Sequence, residues 1–410
     1  MAMGKRATER QEELFIVHDQ LPKSVGHVFY VRLNELLSEA DFDRWVEKFC
    51  ELYYAEGKGR PSIPPGVYFR MLLVGYFEGL GSQRGIAWRC SDSLSLRAFL
   101  GLSLTEEAPD HSSLSTIRNR LPLSVHEQVF LKVLAIAQDK KLLKGKTVAV
   151  DSTTLEANAA MKSIVRRDTN EDWNEYLTRL MQEEGLVAAG EQPSAEELRR
   201  FDKSRKNKSV SNREWESPND PDSRITRMKD GTTHLAYKAE HVIDLDSGVL
   251  MAAEIHHATE ADTATLEGSV VQAQMNQEAA GSTEEIKDVV ADKGYHAAET
   301  LTSIARQSAI RTYIPEPRRK RKSKEKRKPP AQRSALHRNR RRTRGSRGRR
   351  LQRLRSERVE RSFSHVCETG GARRTWLAGI EKVRKRYLIS AAAHNLGCLM
   401  RTLFTMGTPR

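Results

Sequence analysis

Two short apolar runs, KTVAVD ending at Asp151 and DVVAD ending at Asp292, most constrain this fold. Each is rich in β-branched residues and stops at an acid, which reads as a strand with a charged end. A strand that ends in a carboxylate presents it at the edge of a sheet, where loops and ligands gather. Two such strands laid side by side would bring Asp151 and Asp292 together despite the long stretch between them.

The chain before this pair reads as helical. LNELLSEADFDRWVEKFCELYYA carries Leu33, Leu36, Leu37, Phe42, Trp45, Val46 and Phe49 at helical spacing. PSIPPG breaks the chain, VYFRMLLVGYFEGL resumes as a buried helix, and Gly79 and Gly81 end it. Further helices are expected over GIAWRC and near LSLRAFLGL. PDHSSLSTIRNRL then starts another, with Asp110 or Ser112 as N-cap and Arg118 and Arg120 in its body. Short helices with arginines on one of them suit a helix-turn-helix-like DNA module. A helical packing domain with solvated arginines fits the same pattern.

Residues 155–230 are polar and charged and read as a helical insertion. HLAYKAEHVIDLDSGVLMAAEIHHA predicts a β-hairpin turning at DLDSG. A helix over TATLEGSVVQAQMNQ, a strand at RTYIPEP and one long helix from about Arg353 to Leu403 complete the pattern. The four cysteines are far apart with no C-x-x-C pair, so free thiols are expected, with Cys398 in the core. No apolar run of membrane-spanning length and no signal-peptide pattern occurs, so a cytoplasmic, bacterial, nucleoid-associated protein is expected.

Charge points to the partner. Between Arg318 and Arg361 there are 22 Lys or Arg and three acids, a net of +19 against +15 for the whole chain, so one segment makes an otherwise slightly acidic protein basic. A polyanion is the natural partner. Residues 318–352 are expected to form a flexible basic arm that grips DNA backbone without reading sequence. A solubility tail is the plainer alternative.

A third acid, Glu360 in SERVERSF, stands three residues after Glu357. Clustered carboxylates repel and need a counter-charge. Mg²⁺ takes oxygen ligands and needs only a few carboxylates plus substrate phosphates, and two ions about 3.5–4 Å apart serve phosphoryl transfer. Taken singly, an acid after a strand is more often a turn or helix cap, and a helix glutamate among arginines more often a surface ion pair.

Several blocks in order resemble the DDE transposases of bacterial insertion sequences. They are GRPSIPPGVYFRMLLVGYFEG, PDHSSLSTIRNRL, VDSTTLEANAAMKSIVRRD, MKDGTTHLAYKAEHVIDLDSG, VVADKGY, and VERSF with RRTWLAGIEKVRKRY and AAHNL. The resemblance implies an α+β chain: a helical N-terminal DNA-binding domain, about 1–140, followed by a ribonuclease H-like mixed-sheet catalytic core, about 141–410, with a helical insertion. It implies Asp151, Asp292 and Glu360 as the catalytic, metal-binding acids, with Mg²⁺ or Mn²⁺ as cofactor, as two ions. It implies cleavage at mobile-element ends and transfer of the freed 3′-OH into target DNA. The partners would be double-stranded terminal inverted repeats and target DNA, held by a homodimer or larger synaptic assembly, with no membrane. Related transposases often carry a tyrosine and an arginine before the glutamate and a lysine after it, where this chain has Arg353, Ser356 and Cys367. Arg355, Arg358 or Arg361 are expected to contact phosphate instead, and Glu357 is the reserve acid.

The expected DNA contacts are Arg118, Arg120, Lys293, Arg340, Arg341, Arg342, Arg358 and Arg361. Lys238 reads equally as a cleft or a solvent-facing residue, and Tyr295 as a cleft or a turn-packing residue. His241 reads as a hydrogen-bonded strand residue, and His394 and Asn395 as buried structural hydrogen-bonders. Two other functions share these features: a ribonuclease H-like nuclease without strand transfer, and an inactive, domesticated DNA-binding derivative. A basic RNA-binding protein lacks its aromatic motif here.

Overall fold

The computed structural model describes residues 26–55, 62–103, 105–206, 210–228, 231–307, 309–317 and 328–409. The first region is helical: α1 (Val28–Glu39), α2 (Phe42–Cys50), α3 (Pro65–Phe77), α4 (Gln83–Asp92), α5 (Leu94–Phe99), α6 (His111–Arg120) and α7 (Leu123–Asp139). The run at helical spacing over Leu33–Phe49 forms two helices, because Asp41 turns left-handed at φ 50°. The five-residue step from Leu37 to Phe42 is out of helical phase, and this turn resets it so that Phe42, Val46 and Cys50 share the buried face of α2.

α3 begins with Pro65 in its first turn and is buried on nearly every side. It ends in a Schellman motif: Gly79 sits at φ 64°, its amide donates to Tyr76 O, and Leu80 donates to Gly75 O. Arg70, buried on α3, donates from Nε and Nη2 to the two oxygens of Asp43 at 2.7 Å each and from Nη1 to Asn34 and Phe99 O. One charge-assisted cluster thereby ties α3 to its neighbours. Asp110 caps α6, its Oδ1 accepting from Ser112 N at 2.8 Å. The bonds from Ser112 hold its carboxyl down to about 2.

The remaining elements are β1 (Thr147–Glu156), β2 (Val165–Arg166), α8 (Trp173–Glu183), α9 (Ala195–Ser204), β3 (Trp215–Glu216), β4 (Arg224–Arg227), β5 (Thr233–Asp244), β6 (Leu250–His257), α10 (Asp262–Ala279), β7 (Asp288–Ala291), α11 (Ala298–Gln307), β8 (Arg311–Tyr313), α12 (Pro330–Arg344), α13 (Ser346–Phe363) and α14 (Ile380–Phe404). The main sheet runs β4-β5-β1-β7-β8, with β6 also on β5. β5 and β6 form the expected antiparallel hairpin, and β1, β7 and β8 are mutually parallel neighbours. The α+β class is as expected. Among the described residues no helix is long and apolar enough to cross a membrane.

α14 is apolar on almost every side and packs against α7 and α3 on one side and β6 on the other. One continuous buried core therefore runs from the N-terminal helices into the sheet. Asn395 fastens α14 to the sheet by bracketing Leu250: its Oδ1 accepts from Leu250 N and its Nδ2 donates to Leu250 O, both at 2.8 Å.

Three expectations change. The helix expected from Arg353 to Leu403 is broken: α13 ends at Phe363, a π-helical turn spans Ser364–Thr369, and α14 starts at Ile380. Gly371 at φ 69° and Gly379 at φ 89° permit a stretch between, in which Arg373 and Thr375 bond to the end of β1. The insertion is helical in part, with its own small core of Leu177, Met181, Leu198 and Phe201, but it also delivers β4 to the main sheet.

The flexible arm is the third. Residues 318–327 lie outside the described residues, but α12 and α13 make helix of the rest. α12 is fixed because Arg340 pairs with Glu316, Arg342 donates from Nε to Thr312 O at 3.0 Å, and Asn339 exchanges two bonds with Ile314. Arg347 anchors α13 to Asp288 at 2.6 Å. Partners buried in the sheet edge convert part of a charge block into structure.

Candidate active site

β1 pairs with β5 along its length, from Val148↔Asp244 to Glu156↔Ala236, but with β7 only from Thr147↔Asp288 to Val150↔Ala291. Asp151 therefore does not end its strand, as the sequence suggests. It is the first residue beyond the shared edge, because β7 stops one position earlier. Asp292 is the first residue after β7, where the chain turns into a short 3₁₀ turn over Lys293–Tyr295. The parallel register brings the two aspartates level on neighbouring strands.

α13 crosses above this point. Gln352 Nε2 donates to Ala291 O at 3.2 Å, the last carbonyl of β7. One turn later, Arg355 Nη1 donates to Asp151 Oδ2 at 2.6 Å. Asp151 Oδ1 accepts from Ser152 N at 2.9 Å. Burial pushes the Asp151 carboxyl above its usual value, the Arg355 charge and the Ser152 amide oppose that, and the negative charge of Asp292 adds to it. Arg355 is thus the positive charge at a carboxylate pair.

Glu360 is not part of that pair. It is exposed on α13, and its Oε1 accepts from Ser356 Oγ at 3.1 Å, which draws the carboxylate back along the helix toward the turn that carries Arg355. Glu357 is exposed and paired with Arg361 at 2.9 Å. Among the described residues no three His, Cys, Asp or Glu side chains lie close enough to hold one ion together. The buried stripe of α13 is Leu351, Val359, Ser362 and Phe363, and Glu360 falls on its flank.

Behind the aspartates, on the opposite face of β1, lies a buried polar network of which the sequence reading named only Lys238 and Tyr295, neither as a member of a network. Ser152 Oγ donates to Asp262 Oδ1 at 2.9 Å, and Lys238 Nζ donates to Thr265 Oγ1 at 2.9 Å and Asp262 Oδ1 at 3.3 Å. Glu240, fully buried, accepts from Tyr295 OH at 2.7 Å, from Thr265 Oγ1 at 2.8 Å and from Ser269. Burial and the Glu240 charge push the Tyr295 hydroxyl far up, so it stays a donor. The available signal was Lys238 and Glu240, two charges at strand period inside an apolar run.

The expected DNA contacts are scattered. Arg120 is exposed and stacks its guanidinium over Tyr54, 4.8 Å from the ring centre, while Arg118 turns inward. Lys293 and Arg341 are exposed. Arg340 and Arg342 hold α12 as described. Arg358 and Arg361 flank a cleft of about 150 Å³ with Arg401 and the Ser247–Gly248 turn. His241 is a packing residue, as expected, bonded to Ser362 Oγ at 2.9 Å and Tyr387 OH at 2.8 Å and stacked on Phe363. His394 Nε2 meets Gly248 O at 3.2 Å, also a structural role. All four cysteines are buried free thiols.

The family described as Transposase domain (DUF772) matches residues 16–120, and that described as Transposase DDE domain matches residues 313–400. The two matches, one at each end of the chain, together support an insertion-sequence DDE transposase. No curated protein and no solved structure matches it. The C-terminal match covers α13 and so Glu360, whereas both aspartates of this transposase lie between the matched segments. The matched DDE domain points to a DNA-processing role with DNA as partner, and DDE transposase domains generally use divalent metal ions. Among the described residues, Asp151 and Asp292 stand level, and a guanidinium supplies Asp151 with positive charge, an arrangement compatible with such an ion. Two carboxylates with substrate phosphates are a sufficient donor set for Mg²⁺.

Proposed function

We propose that this transposase cuts phosphodiesters at the ends of its element and joins the freed 3′-OH to target DNA, with Asp151 and Asp292 holding Mg²⁺ or Mn²⁺, as two ions, between them. The observation that carries the reading is the level pair of aspartates at the point where β7 ends and α13 crosses. A divalent cation there would supply Lewis-acid charge for an in-line displacement. Asp151 and Asp292 orient and bind. A divalent cation held by Asp151 and Asp292 would supply the positive charge that Arg355 now gives Asp151, and Arg355 would be available to bind a substrate phosphate. Glu360 is the third acid, reaching the pair from the turn to which Ser356 now holds it.

The N-terminal helical region, about 1–140, and the core, about 141–410, would act together on the terminal repeats. Exposed arginines of α12 and α13, among them Arg341 and Arg361, hold backbone phosphates. Ends must be paired before joining, so the working form is a dimer or larger assembly.

The test is an excision and integration assay on the native flanking DNA with Mg²⁺ or Mn²⁺. Asp151→Asn and Asp292→Asn should bind DNA nearly as wild type and neither cut nor join. Cleavage surviving in either variant rejects the assignment. Cutting by wild type without joining points to a nuclease. Glu360→Gln losing activity while Glu357→Gln keeps it would place the third acid, and the reverse would move it.

A further inference from the structure

We infer that a cavity between α3, α4, α6 and α14 is a binding site for a phosphate-class oxyanion. It offers about 30 Å³ to atom centres, room for one small ion. Arg118 of α6 and Arg386 of α14 both line it, together with Gln83 and Trp376, and no carboxylate does. Its remaining walls are largely apolar, among them Tyr68, Leu72, Ile86 and Leu377.

Three donors in this lining have nowhere to donate. Arg118 Nε, Gln83 Nε2 and Trp376 Nε1 are buried without a hydrogen-bond partner. The Gln83 amide is oriented, because its Oε1 accepts from Ser115 Oγ at 2.7 Å and leaves the NH₂ free. Arg386 is held in place: Nη2 donates to Gly371 O at 2.7 Å, Nη1 to Arg374 O at 3.3 Å, and its guanidinium stacks 3.5 Å from the Trp376 ring centre. Two guanidiniums share one enclosure with no counter-ion. Burial and the charge of Arg118 pull Arg386 down to about 9, and burial lowers Arg118 as well.

Buried polar groups in folded proteins are paired, and buried charges are neutralised. Water can satisfy orphan donors but cannot offset two cations. A tetrahedral oxyanion does both, since its acceptors point in four directions and its charge is opposite. A planar carboxylate reaches fewer donors. The cavity also joins the two halves of the chain: α3, α4 and α6 come from the N-terminal helices, Trp376 and α14 from the core. An anion there would bind both. The phosphate has two possible sources, the DNA backbone or free inorganic phosphate. The inference stands whether or not the aspartates cleave DNA.

The experiment uses the full chain, with thermal unfolding and calorimetric titration in inorganic phosphate against chloride at matched ionic strength, plus the salt dependence of binding to a short duplex. Wild type should gain about 3 °C at a hundredfold excess of phosphate over its dissociation constant. Arg118→Met should lose that gain. Trp376→Phe keeps the ring under Arg386 and removes only the N–H, so it should weaken phosphate by about 2–10-fold without unfolding the protein. If the source is DNA, Arg118→Met lowers the salt slope of duplex binding by about 0.9 and phosphate competes with the duplex. If the source is free phosphate, the slope is unchanged and the thermal gain remains. A wild type with neither a phosphate response nor a slope that depends on Arg118 overturns the inference, as does a phosphate gain that Arg118→Met and Trp376→Phe both retain.

Discussion

Replacing Arg355 with Met isolates the charge that faces Asp151. In the wild type the Arg355 guanidinium bonds Asp151 Oδ2 at 2.6 Å, and the two side chains are 12% and 28% exposed. Removing one partner of a buried pair costs roughly 3–5 kcal/mol. Partial exposure brings the expected loss near 2–3 kcal/mol at pH 7. With an unfolding entropy of about 2.1 cal/mol/K per residue, that is a fall of about 3 °C for a chain of this length. The pH dependence has a definite sign. Asp151 is raised in the fold, so the native state binds its proton more tightly than the unfolded chain does, and stability falls as pH rises through the folded pKa. Without Arg355 that pKa rises further and the fall steepens. The variant should therefore approach wild-type stability in acid and diverge above it.

Divalent cations provide the second readout. Under the proposed assignment of Mg²⁺ or Mn²⁺ to Asp151, the ion has no Arg355 to compete with, so the variant should bind it more tightly and recover more of its melting temperature than wild type gains. Thermal unfolding across pH 4–8, with and without Mg²⁺, measures all of this, and Asp151→Asn combined with Arg355→Met gives the coupling. A variant that melts with wild type at pH 7 and shows no larger Mg²⁺ response would refute the placement of Arg355 on an ionised Asp151.

Other outcomes follow from particular contacts. Asn395→Ala orphans the amide and carbonyl of Leu250 and should cost roughly 2–6 kcal/mol by denaturant titration, at about 1–3 kcal/mol per buried group. His126 and His394 are buried and neutral, each lowered to about 4 first by burial. The unfolded chain then binds more protons between pH 4 and 6.5, so stability should fall on acidification by up to about 1.4 kcal/mol per pH unit per histidine, and His394→Phe should flatten its share. Changing exposed Arg338, Arg341, Arg349 and Arg350 to Gln should lower the salt slope of duplex binding by about 0.9 per lost phosphate contact, whereas an unchanged slope would remove α12 and α13 from the DNA.

What the sequence determined by itself is local. The ends of α3, the Asp110 cap, the β5–β6 hairpin and the strands that carry Asp151 and Asp292 all follow from short-range chemistry: fixed proline φ, left-handed glycine, side-chain caps and apolar period. The packing roles of His241 and Asn395 were legible for the same reason, since a polar group in an apolar run must find a partner. The break in the last helix also had a local signal, Gly370, Gly371 and Gly379, which the expectation of one helix from about Arg353 to Leu403 passed over.

Only the tertiary structure decided the rest. Asp151 lies mid-strand, and what exposes it is the early end of a different strand. α13 carries arginines all round, so its pattern leaves the rotation about its axis nearly open, and each residue shifts a side chain by 100°. Packing of Leu351, Val359 and Phe363 fixed that rotation, which put Arg355 on Asp151 and Glu360 on the flank. The same holds for Arg118, which the sequence offers to solvent and the fold turns against Arg386. Which of many like charges meets a partner is a long-range fact, because charge type is written in the residue but its neighbours come from other elements.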